Sequence, residues 1–109
     1  MWLSEMFEEE GRPRLAMTFE QQDLLTRFTD ELRKPTIDGG LKRIRREKPP
    51  WYEDSSHEAA LHSHLMKWKK GELVDADSGA HPLVHAAWRL LAIACQETGN
   101  VPYGPQENQ

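Results

Sequence analysis

The sequence predicts an all-α fold, a small bundle of three main helices completed by oligomerisation. Three observations carry this. Apolar residues recur at helical spacing in three separate stretches. The first two carry capping-box spacings and all three have local stop signals. The last stretch is so apolar that it has almost no polar face and must be covered by other helices.

The first helix is expected over 19–33. Thr18 with Gln21 three residues on fits a capping box, Leu24, Leu25, Phe28 and Leu32 share a face, and Lys34–Pro35 ends it. The second is expected over 56–70, opened by Ser55 with Glu58 and closed by Gly71, with Leu61, Leu65 and Trp68 on one side. His57 and His64 lie on that same side. The third begins after Ser78, a plausible N-cap, takes Pro82 into its first turn, where a missing N–H costs nothing, and runs to about Thr98 before Gly99. Against its apolar background His81, His85 and Arg89 form a polar stripe at i, i+4, i+8. A buried polar stripe needs partners, and the carboxylates of the preceding loop are nearest in sequence.

A chain of 109 residues is one domain. Residues 1–17, with an acidic run at Glu8–Glu10 and breakers at Gly11 and Pro13, are expected to be a flexible arm, 18–99 a single helical domain, and 100–109 a disordered tail. A hydrophobic share of 38% with four tryptophans fits a folded domain. No apolar run approaches a membrane span, and no basic region followed by an apolar core marks a signal peptide. The lone Cys95 cannot form an internal disulfide and sits in an apolar run, so a structural thiol inside a cell is the expectation, with a cytoplasmic location.

The net charge of −4 is unevenly spread. Lys42, Arg43, Arg45, Arg46 and Lys48 crowd into seven positions of a segment, 35–50, that reads as loop with a turn at Asp38-Gly39-Gly40. The basic run is either solvated surface or a phosphate-binding segment, since arginine forks match phosphate oxygens. Nucleic acid ranks below phosphate because the rest of the chain is acidic. Trp51 and Tyr52 follow, placed to stack on a nucleobase or to cover the core. Glu72, Asp75 and Asp77 then fall within six positions, just ahead of His81 and His85. Oxygen ligands beside imidazoles suit a divalent cation; a structural polar cluster is the competing reading.

The pattern Gly71-Glu72, Asp75, Asp77-Ser78-Gly79, His81, His85-Ala86 resembles the signature of phage dATP/dGTP diphosphohydrolase-like proteins, relatives of the MazG-like all-α nucleotide pyrophosphohydrolases. His64-Leu65, Trp68 and the basic Arg46–Pro49 segment match in the same order, so the resemblance covers about residues 40–97. The two histidines are spaced one residue differently here, and no E-x-x-E pair stands on the first helix. The resemblance implies hydrolysis of a (d)NTP to monophosphate and pyrophosphate with Mg²⁺ or Mn²⁺. Glu72, Asp75 and Asp77 would hold the metal, and a carboxylate or His81 would activate water. Arg43, Arg45, Arg46 and Arg89 would bind the polyphosphate, and Trp51 the base. A zinc variant would use His64, His81 and His85. The expected partners are a nucleotide and further copies of the chain. The other class of function is a non-catalytic, small phage-type protein that binds a host protein, or a nucleotide, without hydrolysis, in the host cytoplasm.

Overall fold

The computed structural model describes residues 16–102, so most of the expected N-terminal arm and C-terminal tail lies outside the described residues. Three helices follow one another: α1, Phe19–Arg45; α2, His57–Lys69; and α3, Pro82–Glu97. The fold is all-α, and among the described residues there is no strand. No helix among these residues is long and apolar enough to cross a membrane.

Helix α1 starts as expected. The Thr18 side chain accepts from the Gln21 backbone N–H, and the Gln21 side chain accepts from the Thr18 N–H. Its end is a correction. The helix does not stop at Lys34–Pro35 but runs through Pro35, Gly39 and Gly40 to Arg45, so the basic run lies mostly on its last turn rather than in a loop. Proline removes one helical hydrogen bond and two glycines weaken a helix; contacts from the rest of the fold offset both. Pro35 is buried. Thr36 accepts a hydrogen bond from the Trp88 indole at 2.9 Å. Further along, Lys42 and Arg43 bond to Asp77 and Asp54 at 2.9 and 3.2 Å. Among the described residues the half of α1 before Pro35 has no such anchors, and Phe19, Leu24, Leu25 and Phe28 are exposed.

Helix α3 is central, packing chiefly against α2 and also against α1, where Trp88 reaches Thr36 just past Pro35. Leu61, Ala80, Ala86 and Ala92 are buried, with Pro82 and His57 fully enclosed. The small residues let the helices approach closely. Two expected caps differ. No Ser55–Glu58 box forms. Instead the Asp54 carboxylate accepts from both the N–H and the hydroxyl of Ser56, at 2.8 and 2.6 Å. At α3 the N-cap is His81, not Ser78: its Nδ1 accepts from the Leu83 N–H at 2.9 Å. The Ser78 hydroxyl instead bonds the His85 ring at 2.6 Å and accepts from the Ala80 N–H at 3.1 Å. Gly71, just past α2, has a φ of 93° and Gly79 one of 76°, values that glycine adopts without the Cβ clash of other residues.

Candidate functional site

A cavity of about 230 Å³ opens where the second half of α1, the loop before α3 and the facing sides of α2 and α3 meet. Six basic side chains line it: Lys42, Arg43, Arg46, Lys48, Lys67 and Arg89. Four aspartates, Asp38, Asp54, Asp75 and Asp77, and two histidines, His64 and His85, join them.

Most of the carboxylates are already committed. Asp38 and Asp77 both grip the Lys42 ammonium, at 3.1 and 2.9 Å. Asp54 pairs with Arg43 at 3.2 Å and accepts twice from Ser56. Burial works against its ionisation, but the Ser56 bonds, aided by His57 and Arg43, hold its carboxyl down at about 2. Asp75 accepts from the backbone N–H groups of Asp77 and Ser78 at 3.1 and 2.8 Å. Here too burial opposes, and the Ser78 bonds win, so the group stays below the usual carboxylate range. Asp75 therefore shapes the loop from within. By contrast Arg46, Lys48 and Lys67 pair with no carboxylate among the described residues.

Arg89 is held differently. His57 is 1% exposed and donates from Nε2 to the Trp51 carbonyl at 2.7 Å. That fixes the neutral tautomer and leaves Nδ1 to accept from Arg89 Nη1 at 2.8 Å. Gln96 donates to the same Trp51 carbonyl at 2.9 Å. The guanidinium groups of Arg43 and Arg89 each lie 5.4 Å from the Trp88 ring centroid, within cation–π range. Burial first, and then the Arg43 charge, lower the proton affinity of Arg89. A half-buried guanidinium that bonds a neutral acceptor, and feels the Asp54 carboxylate only at a distance, is a seat for an anion.

The other wall is imidazole. His64 and His85 stack with centroids 4.6 Å apart and planes 20° from parallel. His85 Nε2 shares a 2.6 Å hydrogen bond with the Ser78 hydroxyl and lies 3.7 Å from Asp75. Burial, then the neighbouring ring, pushes His64 down to about 4, and burial lowers His85. Both are neutral at physiological pH.

Among the expected residues, Asp75, Asp77, His64, His85, Arg43, Arg46 and Arg89 all line the cavity. Glu72 is exposed and His81 caps α3; neither lines it. Arg45 lies on a shallower adjoining hollow with Arg46 and Asp77. Trp51 lines an apolar groove next door, with Thr36, Ile44, Pro50 and Trp88; Cys95, half-buried, sits on a continuation of it. Lys42, from the basic run, lines the cavity as well; Asp38, Asp54 and Trp88 line it and His57 backs it, and none of these four is among the residues the sequence assigns to a site. One signal was present for His57, which shares a face of α2 with His64 seven residues on. The residues fit a magnesium or manganese centre poorly. Such ions need several oxygen ligands, and among the described residues no three His, Cys, Asp or Glu side chains converge on one point.

A small helical domain with a cation-rich cavity at the junction of its three helices is the class that fold and site define. The chain belongs to the dATP/dGTP diphosphohydrolase, N-terminal, family, whose model matches residues 46–101. That span contains the loop, α2, α3 and the cavity residues from Arg46 onward. No curated protein and no solved structure matches the chain.

Proposed function

We propose that this chain handles nucleoside triphosphates: the cavity seats the triphosphate, and the protein cleaves a (d)NTP to the monophosphate and pyrophosphate. The observation that carries this is Arg89, a desolvated guanidinium without a carboxylate partner among the described residues, in a cavity lined by five more cations. Family membership supports the substrate class. Arg89, Arg46, Lys48 and Lys67 take the phosphate charge, and preorganised cations of this kind also stabilise charge that builds on a leaving pyrophosphate. The groove between Trp51 and Trp88 is the flat apolar surface that a base needs. Of Glu72, Asp75 and His81, Asp75 is the one at the cavity and the residue proposed to orient water.

Pyrophosphate release from a panel of dNTPs and NTPs, with Mg²⁺ or Mn²⁺ in the assay, tests this. Release should fall at least about tenfold in Asp75→Ala, within the range for loss of a positioned acid–base group. No release from any nucleotide by the native protein would sink the hydrolytic reading. A stable complex with a host protein would then favour the non-catalytic alternative.

The exposed stripe on α1 supports the expected self-association. Leu24, Leu25 and Phe28 continue the face that Leu32 and Pro35 turn toward the body. A second copy, laid antiparallel by a two-fold axis, would cover this stripe with the same stripe. Light scattering should give a dimer mass for the native protein and a monomer mass for Phe28→Glu. Equal masses for both would remove α1 as the interface.

A further inference from the structure

Lys42 occupies an unusual position for a residue on a cavity wall. Its Nζ stands between two carboxylate oxygens from different elements, Asp38 on α1 at 3.1 Å and Asp77 in the loop before α3 at 2.9 Å. Two carboxylates facing each other across a gap are the start of a divalent-cation site; here the gap is already filled by a positive charge from the chain itself. Arg45 and Arg46 line the same hollow, so three cations surround two carboxylates. A dication arriving there would have to displace an ammonium and approach two guanidiniums. The hydrogen bond to Asp77 is the main reason that Lys42 holds its proton more tightly than a free lysine, against a smaller opposing effect of burial. The ammonium therefore does not leave by deprotonation near neutral pH.

The remaining carboxylates offer no substitute. Asp54 is bound to Arg43 and Ser56, and the Oδ2 of Asp75 is bound by two backbone N–H groups. A Lys ammonium is a compact point charge with three donors. With two of them directed at Asp38 and Asp77, it cancels one of the two negative charges that would repel an anion, and Arg45 and Arg46 on the same hollow offset the other.

We infer that Lys42 is a tethered cation standing where a divalent metal would otherwise bridge Asp38 and Asp77, so that the cavity binds a phosphate-class anion without metal. This rests on the reading of the cavity as a phosphate seat and adds that the seat is complete without Mg²⁺. Any metal that serves hydrolysis is then not the group that holds the phosphates.

The test is calorimetric titration of inorganic pyrophosphate into the full chain, once in EDTA and once in Mg²⁺. Saturable binding in EDTA, with a Kd no more than about tenfold weaker than in Mg²⁺, is expected. Binding only in Mg²⁺ overturns the inference and leaves the phosphate seat standing. No binding under either condition overturns both. A second measurement follows Mn²⁺ alone by electron paramagnetic resonance, in native protein and in Lys42→Met, with circular dichroism to verify helix content. The native protein should take up no Mn²⁺ at this site, and Lys42→Met should bind it at least about tenfold more tightly. Tight Mn²⁺ uptake by the native protein, or identical titrations for a folded Lys42→Met, overturns the role given to Lys42. Should Lys42→Met fail to fold, the native titrations still decide.

Discussion

Arg89→Met should weaken nucleoside triphosphate binding by about 10- to 100-fold, because a hydrogen bond to a charged group contributes about 1.5–3 kcal/mol and each ~1.4 kcal/mol is tenfold in affinity. Arg46, Lys48 and Lys67 should each cost less. Arg46 and Lys48 are exposed and already hydrated, and exposed charges contribute little. Arg89 is half-buried and has given up part of its water, with the neutral Nδ1 of His57, the face of Trp88 and the more distant Asp54 charge in return. An incoming phosphate therefore meets a donor that folding has already partly desolvated. Arg89→Lys should restore little, since an ammonium cannot lie flat over Trp88 while also reaching His57. Stability should fall by less. Methionine leaves the buried Nδ1 of His57 without its donor, a cost of about 1–3 kcal/mol. Arg43 and Arg89 share one indole, and relief of their mutual repulsion offsets part of that cost. The urea midpoint of Arg89→Met should therefore drop modestly, and the binding titration is made on a variant whose helix content matches the native protein. Unchanged affinity for every nucleotide would exclude Arg89 from the seat.

How far the sequence could be read follows from where each signal acts. The start of α1, the body of α2, and the proline-opened α3 that ends at Glu97, with Thr98 as its cap, were legible because their determinants lie within a few residues of each other. The length of α1 was not. Pro35 and Asp38-Gly39-Gly40 are local break signals, and what overrides them comes from residues far away: Trp88 on Thr36, Asp77 on Lys42, Asp54 on Arg43. The same distance hid part of the candidate site. The basic run was visible, but not that its helical turn would aim Lys42 and Arg43 at carboxylates and Arg46 at the cavity. The polar stripe His81, His85, Arg89 was visible as needing partners. Asp75 and Ser78 supply those of His85, whereas Arg89 turns to His57 on another helix. His81 leaves the stripe to cap α3, its Nδ1 accepting from the Leu83 N–H, while the Ser78 hydroxyl is taken by His85 and Ala80.

Acid should destabilise the fold well before its carboxylates protonate. His57, His64 and His85 are all held neutral, in each case chiefly by burial. When the folded pKa lies below the unfolded one, the unfolded chain binds more protons. The stability is then complete above the unfolded value and is lost as pH falls toward the folded value. For His64 that window runs from the ordinary 6.5 down to about 4. At ~1.36 kcal/mol per unit the whole shift is worth at most about 3 kcal/mol, and partial solvent access reduces it to about 1–2 kcal/mol. His57 and His85 add in the same direction. Asp54, at about 2 against an ordinary 3.8, and Asp75 act lower, with stability present above 3.8 and lost as pH falls beneath it. Urea midpoints should therefore drop between pH 6.5 and 4.5, a range in which those two aspartates change little. His64→Phe should flatten the slope, because phenylalanine keeps the stack on His85 and cannot take a proton. A midpoint that stays level down to pH 4.5 would mean that these rings are solvated in the folded chain. The imidazole wall of the cavity would then be open to water, and a phosphate would find it charged rather than neutral.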